Sequence, residues 1–109
     1  MTAKLLNAGL IPAILLLLTS CTTVTLTEEG SKARVLGLDD VEKCQKTGRV
    51  AVSVHQKTFN ATPKQSYSVA KQLQTLARNS AVHMGGDTVV AVSRVGNGQQ
   101  TFDVFRCMP

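Results

Sequence analysis

Residues 62–95 read TPKQSYSVAKQLQTLARNSAVHMGGDTVVAVSRV, and the interpretation of this stretch decides the fold. Thr62 offers a capping hydroxyl, Pro63 occupies a first helical position where a missing N–H costs nothing, and Gln65 follows the cap by three residues. A helix is therefore predicted to begin here and to run to about Met84. Val69, Leu73, Leu76, Ala77, Ser80, Ala81 and Met84 follow the three-and-four spacing of one buried stripe, with Lys71, Gln74, Thr75 and Arg78 opposite. Gly85 and Gly86 supply a left-handed cap that stops it. Residues 87–95 are then nearly continuously apolar and β-branched, as a central strand is.

Outward from this block, Gly96-Asn97-Gly98 turns the chain, and residues 100–107 give a last strand, antiparallel to its neighbour as a hairpin. On the amino-terminal side, residues 49–57 alternate, with Val50, Val52 and Val54 on one face and Ala51, Ser53 and His55 on the other. Asn60-Ala61-Thr62-Pro63 interrupts them; its Asn-x-Thr pattern serves better as punctuation than as a glycosylation site. Further back, residues 33–36 are strand-like and residues 39–44 begin a short helical turn with carboxylates at its start. The order strand, strand, helix, strand, strand predicts the α+β class, with a single helix packed on a mostly antiparallel sheet of about four strands.

The first 20 residues have a different character. Lys4 precedes a run over 5–18 that is apolar apart from Asn7, and as a helix it would span about 21 Å, short of the roughly 30 Å hydrocarbon core of a bilayer. An export signal is the expected reading. Leu18-Thr19-Ser20-Cys21 then looks like the lipobox of bacterial lipoproteins, in which small residues let a peptidase reach the backbone and the thiol is the nucleophile that takes a diacylglyceryl group. Cleavage is expected between Ser20 and Cys21, with lipid on Cys21. An ordinary signal peptide or short signal anchor with an incidental cysteine is the alternative. Two or more acyl chains hold a protein stably on a membrane where one holds it marginally. Thr22, rather than Asp, follows the cysteine, which in enteric-type lipoproteins implies sorting to the outer membrane, facing the periplasm. Residues 21–31, rich in Thr, are expected as a lipidated tether and residues 32–109 as the domain.

The chain has 109 residues and a formal charge of +5. Its basic residues are scattered, and with no Trp and one Tyr it lacks the dense basic stripe or aromatic platform of nucleic-acid binders. A solvated basic surface, weakly attracted to anionic headgroups, is the expectation.

With Cys21 lipidated, two cysteines remain, and an exported location is oxidising enough to join Cys44 to Cys107. Such a bridge would matter in so small a core. A metal site or redox pair is the other use of two thiols, though neither cysteine lies in a Cys-x-x-Cys motif. His55 and His83 are the only histidines, too few for a convincing metal site without further ligands. No nucleophile elbow, zinc-protease helix, phosphate loop or carboxylate pair occurs, so no catalytic residue, metal or cofactor is predicted.

The segment 76–89, Leu-Ala-Arg-Asn-Ser-Ala-Val-His-Met-Gly-Gly-Asp-Thr-Val, together with the leader, the paired Cys44 and Cys107 and the ending Val104-Phe105-Arg106-Cys107, resembles a family of small Gram-negative lipoproteins classed as domain of unknown function 4156. The likeness covers about residues 28–108. More remotely, the chain is similar to the Rcs envelope-stress sensor lipoproteins, which share a disulfide-braced α+β domain but use two disulfides where this chain can form one. The resemblance implies fold and location and carries no activity. The expectation is a lipid-anchored, non-enzymatic binding or envelope-stress-related module with membrane lipid as one partner and an envelope protein as another. The alternative is a periplasmic lipoprotein that binds a small ligand or metal, using His55 or His83.

Overall fold

In the computed structural model, which describes residues 24–55 and 62–108, the helix α1 spans Pro63–His83. Both halves of its capping box are formed: Thr62 Oγ1 accepts from Gln65 N at 3.2 Å, and Gln65 Oε1 accepts from Thr62 N at 2.9 Å. At the other end Gly86 N donates to Ala81 O and Gly85 N to Val82 O, at 2.9 and 3.3 Å. This pair of bonds closes the helix only if the residue after the cap turns left-handed, and Gly85 does so at φ 73°. Gly86 is needed for a different reason. A Cβ there would collide with Val104 Cγ1 and lie 2.9 Å from Phe105 O, so the pair of glycines combines a reversal with a close approach to the sheet.

The strands are β1 (Arg34–Val35), β2 (Gln45–Ser53), β3 (Thr88–Ala91) and β4 (Gln99–Arg106), in the expected order around the helix. They form one mixed sheet in the order β1-β3-β4-β2, in which β1 and β3 are parallel and the other pairs antiparallel. Val69, Leu73, Ala77 and Ala81 of α1 pack on Val52, Val89, Phe102 and Val104, with Ala33 at the margin. Leu73 and Phe102 are both 0% exposed, and burial of a side chain of either size stabilises by about 2–3 kcal/mol. A Cβ at Gly48 of β2 would meet Met84 Cε, so the bare backbone there admits the end of the helix.

Between β3 and β4 the chain turns at Asn97 and Gly98, both at positive φ (52° and 74°), with Gly96 and Gln99 exchanging two backbone hydrogen bonds at 2.9 and 3.0 Å. This is the two-residue Asn-Gly hairpin whose twist matches that of the strands it joins.

Two strand lengths differ from expectation. β3 ends at Ala91 rather than Val95, where its register with β4 breaks: Ala91 faces Phe102, but Gly96 faces Gln99, which is out of step with the ladder before it. Beyond it, Ser93 Oγ accepts from Thr101 N and Ser93 O from Gln100 Nε2, at 2.9 and 3.0 Å, so side chains replace the ladder. β2 starts at Gln45, four residues before the alternating run, and pairs with the end of β4 across an irregularity between Lys46 and Gly48. Its polar start gives no hydrophobic signal because its partner supplies the order.

β1 and β2 lie at opposite edges of the sheet, so residues 36–44 must cross it to connect them. They do so through a single turn of 3-10 helix, Leu38–Asp40, just ahead of the helical turn expected at residues 39–44. Val41 in this crossing is buried, and so are Thr88 and Val90, which alternate with the core residue Val89 and therefore point away from α1. The crossing thus covers the face that the helix leaves open.

Candidate functional site

The residues that could carry chemistry are drawn into three polar clusters and one cleft. The first cluster is on the sheet face opposite the helix. Asp103 of β4 is 6% exposed; Arg49 Nε donates to its Oδ1 at 2.6 Å, Arg49 Nη2 reaches Oδ2 at 3.5 Å, and Lys46 Nζ lies 3.3 Å from Oδ2. The pairing follows from register, since Arg49 and Asp103 are directly opposed on antiparallel strands. The hydrogen bond from Arg49 holds the Asp103 carboxyl below its usual 3.8 against the opposing effect of burial, and Lys46 adds to the lowering.

A second carboxylate, Asp87, fastens the carboxyl-terminal end of the chain. Its Oδ1 accepts from Cys107 N and Thr88 Oγ1, its Oδ2 from Met108 N, all at 2.9 Å. Burial by itself pushes this carboxyl up, but the three hydrogen bonds and the charge of Arg34 bring it below 3.8 overall. Asp87 and Asp103 are therefore ionised at neutral pH with their oxygens already engaged, which suits bracing rather than proton transfer.

Cys44 and Cys107 are joined, with Cα atoms 4.5 Å apart. Gln45 pairs with Arg106 in the β2–β4 ladder, so the two cysteines occupy its next rung, where opposed Cα atoms approach closely. The bridge ties the crossing segment to the end of β4 and closes a span of 63 residues.

The third cluster joins the amino-terminal segment to the outer side of α1. Asn79 Nδ2 donates to Thr25 O at 2.9 Å, and Asn79 Oδ1 accepts from Thr27 N and Thr27 Oγ1 at 2.9 and 3.1 Å. Arg78 donates to Ala33 O and Ser31 O, at 2.8 and 3.0 Å. Gly30, in the 3-10 turn Gly30–Lys32, is buried against Asn79, whose Oδ1 occupies the space a Cβ would need. Residues 25–33 are thus a strap across the helix, and the part of the expected tether that is described lies docked on the domain.

Beside the strap, an open cleft of about 580 Å³ is lined by Glu29, Lys32, Ala33, Val82, Gly85, Gly86, Asp87, Arg106 and Met108. Its lining is mostly apolar and includes side chains of both charges.

Of the residues singled out by sequence, Cys21 and the Ser20–Cys21 cleavage position lie outside the described residues. His55 is exposed just past the end of β2, whereas His83 is exposed at the end of α1, whose neighbour Met84 reaches Gly48 near the start of β2. The two histidines are therefore at opposite ends of that strand. Among the described residues no group of three or more His, Cys, Asp or Glu is placed to hold a metal ion, and no helix is long and apolar enough to cross a membrane. Asp87, Asp103 and Asn79 are the residues that sequence reasoning passed over. A signal existed for Asp103, a carboxylate between the core residues Phe102 and Val104.

These features define a class of protein: a small α+β domain of one helix on a four-stranded mixed sheet, closed by a disulfide, two carboxylate clamps and an amino-terminal strap. The profile of the family described as Domain of unknown function (DUF4156) matches residues 24–107, and the chain belongs to that family. The match begins ahead of Lys32 and so takes in the strap. Neither the curated proteins nor the solved structures contain a match to the chain.

Proposed function

We propose that the chain is a lipid-anchored protein of the bacterial cell envelope, cleaved between Ser20 and Cys21, acylated on Cys21 and held on the outer membrane facing the periplasm. Its domain acts there as a non-enzymatic module that binds an envelope partner, in keeping with an envelope-stress role. The observation that carries this reading is the partition of the three thiols. Cys44 and Cys107 are consumed by a bridge, which fits an oxidising compartment, and Cys21 is left behind an apolar run in a lipobox-like setting. The saturated state of Asp87 and Asp103 supports bracing as their task.

Growth with an alkyne-bearing palmitate analogue tests the anchor: the full chain should be labelled, Cys21→Ala should lose the label, and labelling that survives the substitution refutes acylation at this thiol. Density-gradient separation of the two membranes checks the placement; recovery in the inner membrane overturns it. A second reading, binding of a small periplasmic ligand, draws on the cleft of about 580 Å³ with its mostly apolar lining. Replacing Val82 with a bulkier Phe to fill the cleft should abolish ligand-induced thermal stabilisation if that reading holds.

A further inference from the structure

The outer face of α1 has an unusual charge pattern. Lys64, Lys71 and Arg78 recur at seven-residue intervals, two helical turns apart, and so line up along one face, while the 21 residues of the helix include no Asp or Glu. Arg78 is occupied by the carbonyls of the strap. Lys64 and Lys71 are exposed, and neither has an ion pair among the described residues. Beside them Tyr67 is 66% exposed, its ring 5.9 Å from Lys71 Nζ. A basic row with an amphipathic ring between its members is the surface that suits the boundary between headgroups and acyl chains.

The strap sets how far this face can be from the membrane. Thr25, bonded to Asn79 on the same outer side, is the first of the described residues with a hydrogen bond to the helix, and it lies only four positions after Cys21. Four residues reach at most about 14 Å when fully extended. A domain on so short a leash is beside the bilayer whatever its orientation, and charge then selects which face turns toward it. On the far side of the sheet Lys46 and Arg49 share the carboxylate of Asp103, and the crossing segment there adds Asp39, Asp40 and Glu42 against Lys43. In the strap Glu28 and Glu29 offset Lys32, whereas the helix face that carries Lys64 and Lys71 has no carboxylate of its own.

We propose that the domain lies down on the membrane that anchors it, with the outer face of α1, carrying Lys64, Tyr67 and Lys71, against anionic phospholipid headgroups. This rests on acylation of Cys21 as read above. The strap is then the orienting device: its bonds to Asn79 and Arg78 shorten the tether to a leash and fix the side from which the helix meets the lipid. The opposite face of the sheet, with the disulfide and the crossing segment, is left toward the periplasm.

The test uses the mature lipidated chain purified from membranes and placed on vesicles of phosphatidylcholine alone or phosphatidylcholine with phosphatidylglycerol. Lysines are acylated with an N-hydroxysuccinimide ester and the rates read by peptide mass spectrometry. On the anionic vesicles Lys64 and Lys71 should react about fivefold more slowly relative to Lys46, the factor set by the attraction of one basic residue to such a surface. Chain that floats with the vesicles but shows the same relative rates on both lipids overturns the orientation and leaves the anchor intact. Chain that does not float at all refutes the anchor, and the orientation with it. Tyr67 gives a second readout, because it is the only tyrosine and there is no Trp. Its emission should be quenched by headgroup-labelled spin lipid in the parent chain and much less in a Lys64→Glu, Lys71→Glu variant; equal quenching in both contradicts a charge-selected face.

Discussion

The two faces of the sheet are stabilised by different physics. Toward α1, Val69, Leu73, Ala77 and Ala81 meet Val52, Val89, Phe102 and Val104 in a dry apolar layer. Away from it, Val41 of the crossing segment is buried along with Thr88, Val90 and Asp103, and order there depends on an ion-paired carboxylate and a covalent bridge. One face follows a periodic pattern written in nearby residues; the other joins residues more than fifty positions apart. A helix can cover only one side of a sheet, and in a domain this small the second side has too few apolar residues to hold a crossing segment by burial alone.

The largest expected effect breaks the second face. Replacing Cys44 and Cys107 by Ala, or reducing the bridge, should lower unfolding free energy by roughly 4 kcal/mol through the freed 63-residue span. Denaturant titration with and without reductant reads this directly, and an unchanged midpoint means the crossing segment is held by other contacts. On the helix side, Leu73→Ala should cost about 3 kcal/mol, as truncation of a fully buried leucine does.

Smaller effects divide the carboxylate clamps. Asp87→Ala leaves the amides of Cys107 and Met108 without their acceptor and should cost about 2 kcal/mol. Asp103→Ala should cost about 1 kcal/mol, because Lys46 and Arg49 are half exposed and regain water. Both carboxyls lie below their usual value in the fold, so the stability they lend is present above 3.8 and is lost as pH falls through the lowered folded values. Thermal midpoints followed from neutral pH into acid should fall in that window, and Asp87→Asn combined with Asp103→Asn should flatten the fall. A profile equally steep in the double variant places the acid sensitivity elsewhere.

This contrast also explains what could be read from sequence. The bounds of α1 were legible because Thr62, Gln65 and the Gly85-Gly86 pair act on backbone within a few residues of themselves. The hairpin at Asn97-Gly98 and the apolar stripe of the helix were legible for the same reason. The pairing of Cys44 with Cys107 followed by elimination once Cys21 was set aside. β3 read four residues too long because its apolar run does not reveal where its register with β4 breaks. The start of β2 and the roles of Asp87 and Asn79 depend on groups far away in the chain, and no local pattern encodes them; at Asp103 the flanking core residues give a local signal, but its partners Lys46 and Arg49 are distant. The strap looked like a tether for that reason: Thr25 and Thr27 have no periodicity, and their order comes from Asn79.

The thiols connect both faces to the proposed location, and one measurement addresses all three. Intact chain extracted from envelopes, kept nonreduced and mapped by peptide mass spectrometry, should begin at a lipid-modified Cys21 and contain Cys44 linked to Cys107. An unprocessed Met1 terminus, or Cys21 found in a disulfide with Cys44 or Cys107, would contradict the account.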